Sequence, residues 1–215
     1  MKIIFLIIVI LTTPSLSHAQ IKSKALLNVP LVKQGKSLCG PATIEMLFRY
    51  WGEYNQSQYS IAEAMLAQFS DSRRYIKSGI MDQHPRDWSK YPGTGTINIR
   101  EYLKRHGSVR NIMFKNEPIS KDLVDTHLAI IKQNISKGIP VIVHQYWSGA
   151  NSSGHYRLVT GYNDHKKIIY LNDSDRGRRI TQSYKEFLEK WNVDQKWLHY
   201  NAIIFKPKKT PLRVK

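Results

Sequence analysis

The sequence predicts an α+β domain, with helices first and an antiparallel sheet after them. Residues 39–69 and 97–137 place apolar side chains at helical spacing, with Gly52, Gly107 and Gly138 as helix stops. From Ile139 onward, four runs rich in Val, Ile and Tyr are bounded by Gly, Asn and Asp. Helices followed by strands, rather than alternating with them, give an α+β arrangement. The 215 residues suit one domain with a substantial core, and neither an internal repeat nor a second domain is evident.

The chain opens MKIIFLIIVILTTPSLSHAQ. Lys2 supplies a short positive start, Ile3 to Leu11 is unbroken and apolar, and Ser17-His18-Ala19 offers small residues where a signal peptidase reads. Residues 1–19 are therefore expected to be a signal peptide, cleaved after Ala19. An uncleaved anchor is the plainer alternative, but the run is short of the ~20 residues a bilayer needs. No second run of spanning length follows, and no cysteine stands where a lipid would be attached. The mature domain, residues 20–206, is expected outside the cytoplasm, secreted or periplasmic, with no transmembrane segment. Residues 207–215 form a basic, Pro-containing tail expected to lack regular structure.

Gln20 to Lys36 reads as an extended lead-in, with Val29-Pro30-Leu31-Val32 a short strand that Pro30 confines to an edge. Pro41 suits the first turn of a helix, where its missing N–H costs nothing. Ile44, Leu47, Phe48 and Trp51 then form one apolar face, and Gly52 ends the helix. Cys39 thus sits at a helix N-terminus. Ser60-Ile61-Ala62-Glu63 reads as a capping box opening a second helix that ends near Phe69. Residues 70–95 carry Pro85, Pro92 and Gly93-Thr94-Gly95 without a period. Such a long loop is expected to contact substrate. Ile97 to His106 is helical, stopped by Gly107. Ser120 to Lys137 is a longer helix, stopped by Gly138. Ile139 to Tyr146, His155 to Tyr162, Lys167 to Asn172 and Asn201 to Phe205 read as strands, with a hairpin turn at residues 162–165. Ser183 to Trp191 inserts a short helix.

Charge limits the partners. The chain carries 33 basic and 16 acidic residues, net +17. Without the signal segment, 32 basic residues face 16 acidic ones, net +16. That favours anionic partners (cell-wall polymers or another anionic cell-envelope surface, lipid head groups, nucleic acid or an acidic substrate), although basic surfaces are also simply solvated. No nucleic-acid motif is present. A metal site is poorly supported, because there is one cysteine and no His-x-x-x-His pair. No cofactor is expected.

The lone Cys39 cannot form an internal disulfide, so it is either a buried apolar residue or a reactive thiol. A thiolate is favoured at a helix N-terminus and beside an imidazolium. Of the eight histidines, His155 stands out. It opens a strand directly after the turn-forming run Asn151-Ser152-Ser153-Gly154, where a side chain can reach a cleft. On position alone a histidine at a strand start is more often just solvated, and His144 on the preceding strand is the local competitor. Asn172 and Asp173 follow one hairpin downstream. Either could orient an imidazole, or both could simply cap a turn. Gln34, five residues before Cys39, could donate its amide to an oxyanion together with the Cys39 backbone N–H.

In combination and order these segments resemble a known family. Gln34-Gly35-Lys36-Ser37-Leu38-Cys39-Gly40-Pro41-Ala42-Thr43 is similar to the active-site segment of the papain-like, bacteriocin-processing (double-glycine leader) peptidases and their stand-alone relatives. Lys137-Gly138-Ile139-Pro140-Val141-Ile142-Val143 resembles their next segment. Gly154-His155-Tyr156-Arg157-Leu158-Val159-Thr160-Gly161-Tyr162 resembles their histidine strand. Tyr170-Leu171-Asn172-Asp173 resembles the strand ending in their third catalytic residue, and residues 184–191 resemble the helix that follows. The match spans residues 27 to 205, with a poor middle from 53 to 120.

The resemblance implies a papain-like fold and a cysteine peptidase acting on a peptide or protein substrate. It implies Cys39 as nucleophile, His155 as general base, Asp173 as the orienting group and Gln34 as oxyanion donor. The family usually places proline after its aspartate. Here Ser174 stands instead, which leaves Asn172 open as the third residue. Many relatives trim leader peptides while fused to a transporter, and that substrate does not carry over to this chain. Two other activities fit the same residues: acyl or peptidyl transfer through the same acyl-enzyme, and a non-catalytic basic binding module in which Cys39 is buried and inert.

Overall fold

The computed structural model describes residues 22–68, 87–114, 118–195 and 198–208. The expected signal segment, most of the basic tail and residues 70–86 of the long loop lie outside the described residues.

The first helix forms where the sequence places it. α1 (Cys39–Tyr50) buries every residue from Gly40 to Phe48, so it is a core helix rather than a surface one. Pro41 occupies its first turn, and Gly52 leaves it at φ +89°. Phe48 packs on Tyr102 and Phe205, tying the helix to a later helix and to the last strand. α2 (Gln58–Gln68) starts earlier than its expected capping box. Ser57, not Ser60, is the cap. The Ser57 Oγ accepts from the Ser60 backbone N–H (3.2 Å), and the Ser60 Oγ accepts from the Ser57 N–H (2.9 Å). A serine hydroxyl here does the reciprocal work that a glutamate usually does, which is why the Ser-x-x-Glu pattern pointed three residues too late.

α3 (Thr96–His106) stops at Gly107. α4 (Lys121–Ser136) is capped by Ser120, whose side chain accepts from the Leu123 N–H, and is ended by Gly138 at φ +78°. α5 (Tyr184–Trp191) is capped by Ser183 in the same way and buries Phe187 and Trp191.

Among the described residues the sheet has seven strands: β1 (Lys24–Leu26), β2 (Gly107–Ile112), β3 (Val141–Tyr146), β4 (Gly154–Asn163), β5 (Ile168–Asp173), β6 (Arg178–Ser183) and β7 (Ala202–Pro207). They run in the order β2-β7-β3-β4-β5-β6, with β1 added to β4, and every pairing is antiparallel. β3 pairs with Gly154–Val159 and β1 with Gly161–Asn163, so the two share the length of β4. β7 runs to Pro207, one residue into the expected tail.

Three strands differ from expectation. Val29–Val32 is not a strand. The carbonyls of Val29 and Pro30 are instead taken by the Asn172 side-chain amide (3.1 and 3.4 Å), and Pro30 has no N–H to offer a ladder. β1 lies a few residues earlier. β2 (GSVRNI) and β6 (RRITQS) are further strands, in segments that the sequence does not mark as strands. Both sit at ends of the sheet order, and both are too polar to show the apolar enrichment that marks an inner strand.

β3 and β4 form the centre. Every residue of β3 is buried, and so is every residue of β4 from His155 to Tyr162. At Gly161, where a bulge interrupts the β4–β5 register, a Cβ would lie 2.6 Å from the Ala25 carbonyl oxygen. Only glycine lets β1 close on β4 there. Gly161→Val is expected to cost about 1–3 kcal/mol, as overpacking against backbone does. Urea unfolding of the two proteins side by side measures it; an unchanged midpoint would mean that β1 contributes nothing to the fold.

Candidate active site

The turn Gly35-Lys36-Ser37-Leu38 delivers the chain into α1. The Leu38 N–H donates to the Gly35 carbonyl (3.2 Å), and Ser37 adopts φ +59°, a left-handed conformation uncommon outside glycine. Leu38 occupies the cap position with no side-chain hydrogen bond. The first N–H groups of α1 are therefore not spent on a capping side chain, and the positive end of the helix lies at Cys39.

Strand alternation selects what faces the thiol. On β4, His155 and Arg157 share a face, and Tyr156 lies on the other. Leu158 pairs with Asn172, so Asn172 shares the face of Tyr156, while Asp173 shares that of His155 and Arg157. Asn172 and Asp173 cannot both reach the imidazole. It is Asp173 Oδ1 that accepts from His155 Nε2, at 3.1 Å. Asn172 turns to the Val29 and Pro30 carbonyls. His155 also hydrogen-bonds to the Cys39 thiol, and Nδ1 is the ring nitrogen left to do so. The structure thus brings Cys39, His155 and Asp173 into one chain of contacts.

The electrostatics follow from this chain. Burial works against a charged Cys39, but the His155 hydrogen bond and charge, with backbone hydrogen bonds from Tyr156 and Gly40, outweigh it. The thiol is held below its ordinary range. Burial likewise disfavours a charged imidazole, yet the Asp173 and Cys39 contacts raise His155 above its usual value. Asp173 is fully buried, and burial alone would raise its pKa. The His155 hydrogen bond and the Arg157 guanidinium instead hold it well below the carboxylate range. These directions favour a thiolate–imidazolium pair.

Arg157, which the sequence does not single out, is central to the site. Its side chain is 2% exposed. Nε donates to Asp173 Oδ2 at 2.8 Å; one terminal nitrogen donates to Gln145 Oε1 and the Tyr146 carbonyl (both 3.1 Å), and the other to the Trp147 carbonyl (2.8 Å). The backbone N–H groups of Asp175 (3.0 Å) and Arg176 (3.3 Å) complete the Asp173 carboxylate. An arginine two residues past a strand histidine is the only signal the sequence offered, and an exposed arginine gives the same pattern.

Gln34 is held from two sides. Its backbone N–H donates to the Ser174 carbonyl (2.9 Å), and its side-chain oxygen accepts from the Ser174 hydroxyl (2.8 Å). The side-chain NH2 is thereby turned away from Ser174. From the other side, Gln58 of α2 accepts from the Gly35 N–H (2.7 Å) and donates to the Lys33 carbonyl (2.9 Å). Glu45 of α1, buried, accepts from the Gln58 N–H (2.6 Å). The segment that carries Gln34 is thus tied to the helix that carries Cys39 and to the strand end that carries Asp173.

His144, the local competitor, does not join this chain. Its ring lies against Gly154 and Tyr156, and burial together with the His155 charge pushes its pKa down to about 4. Of the long loop, residues 87–95 are described. Trp88–Lys90 forms a short 3-10 turn, and Pro92 to Gly95 line a cavity beside the site. Among the described residues, no group of three or more His, Cys, Asp or Glu is arranged to hold a metal, and no helix is long and apolar enough to cross a membrane.

A family model described as "Peptidase_C39 like family" matches residues 26–199. Among solved structures, a C39-like peptidase from Bacillus anthracis is similar over 86% of this chain and 98% of its own, with 14% identity and a TM-score of 0.53. Xylellain, a cysteine protease from Xylella fastidiosa, is similar over 88% of each chain, with 13% identity and a TM-score of 0.46. The interpain A cysteine protease of Prevotella intermedia is similar over 85% of this chain and 94% of its own, with 9% identity and a TM-score of 0.47. No curated protein sequence matches.

Replacing Arg157 by methionine would leave the buried Asp173 carboxylate short of its cation and three acceptors unpaired. A loss of about 3–5 kcal/mol is expected, in line with breaking one side of a buried ion pair. Urea unfolding at neutral pH reads it, and a change under 1 kcal/mol would show that Asp173 does not rely on this partner. Asn172→Ala is expected to loosen residues 29–30 without changing the reactivity of Cys39 toward a small alkylating agent.

Proposed function

The chain belongs to the C39-like family of papain-like cysteine peptidases, and from that premise we propose that it cleaves peptide or amide bonds through Cys39, His155 and Asp173, by way of an acyl-enzyme. The observation that carries the assignment of residues is the unbroken contact chain from the Cys39 thiol through His155 to a buried, ionised Asp173.

In this reading the Cys39 thiolate attacks the carbonyl carbon of the scissile bond. The carbonyl oxygen becomes an oxyanion, which meets the Cys39 backbone N–H and the Gln34 side-chain amide. The His155 imidazolium gives its proton to the leaving amine as the C–N bond breaks. The neutral imidazole then takes a proton from water, whose oxygen attacks the thioester carbon and releases Cys39. Asp173 keeps the imidazole in the orientation and tautomer that the exchange requires, with Nε2–H toward the carboxylate. Ser174 holds the Gln34 oxygen, so the amide presents its NH2 rather than its oxygen to the oxyanion. The apolar N-terminal run and its small-residue cleavage site support export, and a peptide or protein outside the cytoplasm is the substrate this reading implies.

Cys39→Ala is expected to fold with an unchanged thermal midpoint and to lose all turnover of a casein or quenched-peptide substrate. Full activity in that variant would remove Cys39 from the mechanism. Gln34→Ala is expected to lower kcat by about 10²–10³-fold, the usual effect of removing one oxyanion donor. Ser174→Ala should lower it less, and should add nothing in the Gln34→Ala background. Additive losses in the double variant would mean that Ser174 acts elsewhere.

A further inference from the structure

A cavity of about 750 Å³, within the range of ligand pockets, opens beside the nucleophile. Its position follows from two of its walls. Thr94 belongs to one, and a Cβ on Gly40, the residue after Cys39, would lie 3.0 Å from the Thr94 Cβ. Gly154 and Tyr156, which flank His155 on β4, belong to the other. The two walls are tied together by a hydrogen bond between the Thr96 and Tyr156 hydroxyls (2.9 Å). The cavity therefore adjoins the residues that flank Cys39 and His155, within reach of a side chain near the scissile bond of a bound substrate.

The lining has a definite charge. It includes Arg100 and His144, and among the described residues no aspartate or glutamate. The Arg100 Nε is held by Glu101, its neighbour on α3, at 3.0 Å. That contact fixes the guanidinium, and among the described residues its two terminal nitrogens have no partner. His144 is buried, and its Nδ1 is buried with no hydrogen-bond partner. Its Nε2 edge faces Gly154, where a Cβ would sit 2.4 Å from that nitrogen. Glycine at 154 is what lets the imidazole stand at the cavity wall. A neutral imidazole with its proton on Nε2 offers a donor there.

We propose that this cavity receives an acidic side chain of the substrate close to the scissile bond, with Arg100 supplying the charge and His144 a hydrogen bond. The proposal deepens the peptidase reading and rests on it. Glu101 is shared between Arg100 (3.0 Å) and Lys104 (2.8 Å), so this wall keeps a net positive charge, which a basic side chain would meet. An aliphatic one would cover Arg100 and His144 without satisfying either. A carboxylate pairs with the guanidinium through two parallel hydrogen bonds.

The test is the cleavage of a mixed peptide library by the protein and by Arg100→Met, with the cut sites mapped by mass spectrometry. Arg100 lies on the partly exposed face of α3, and the thermal midpoint of the variant checks that it folds. Enrichment of Asp and Glu at one position within about two residues of the cut is expected, with kcat/KM about tenfold or more above the matching Gln or Leu peptide. Arg100→Met should abolish that preference, mainly through KM. His144→Gln, which keeps a donor, should retain part of it. Cleavage with a flat profile, a preference for basic or aliphatic residues at every position, or an acidic preference that survives Arg100→Met would overturn the cavity's assignment and leave the peptidase reading standing. No cleavage of any peptide would overturn the peptidase reading, and this inference with it.

Discussion

The site depends on one carboxylate kept ionised out of water. Asp173 is fully buried, and a lone carboxylate there would take up a proton rather than stay charged. Arg157 prevents this from one side and His155 from the other, while two backbone N–H groups fill the remaining positions. Once Asp173 is charged, His155 is raised, and a raised His155 lowers Cys39. Arg157 bears on the thiol only through Asp173 and His155, and its own positive charge works against a charged imidazole, so the raising of His155 rests on the Asp173 and Cys39 contacts.

The scaffold exists to hold this arrangement. β4 is central in the sheet and buried along most of its length, so the orientations of His155 and Arg157 are fixed by packing on both faces. β5 brings Asp173 alongside through a register that leaves no choice between Asn172 and Asp173. α1 is buried from Gly40 to Phe48 and aims its N-terminus at the same point. The Glu45–Gln58 pair fastens the Gln34 segment to that helix. A polar network inside a core is costly where a member is left unsatisfied; here both Asp173 oxygens and all three guanidinium nitrogens of Arg157 have partners, while Gln182 Nε2, beyond Gln145, has none among the described residues.

Much of this was legible in the sequence, and the losses have physical reasons. The helices around Ile44, Leu103 and Ile131 were readable because their apolar spacing is strong. β3, β4 and β5 were readable because buried strands are rich in Val, Ile and Tyr. β2 and β6 were not, because strands at the ends of a sheet tolerate Arg, Asn and Gln, and such segments look like loops. Cys39 stood out by its helix terminus and His155 by its strand start, but position alone left each with a plainer reading, and their roles came from the resemblance to the family. Asp173 could not be separated from Asn172, because the choice is made by the β4–β5 register, and a register is a long-range property. Arg157 and Gln58 were missed for a related reason. Long polar residues read as surface until burial is known.

The central claim is that His155, backed by Asp173 and Arg157, keeps Cys39 ionised well below the pH of an ordinary thiol. The most direct measurement is the rate of iodoacetamide alkylation of Cys39 from pH 4 to 9, in the protein and in His155→Ala. An ordinary thiol has a pKa of ~8.5, and histidine-paired catalytic thiols reach ~3–4. Fast alkylation at pH 5 that disappears in His155→Ala is the predicted result. Alkylation only above about pH 8, or the same profile in both proteins, would contradict it and leave a basic binding module on a peptidase fold.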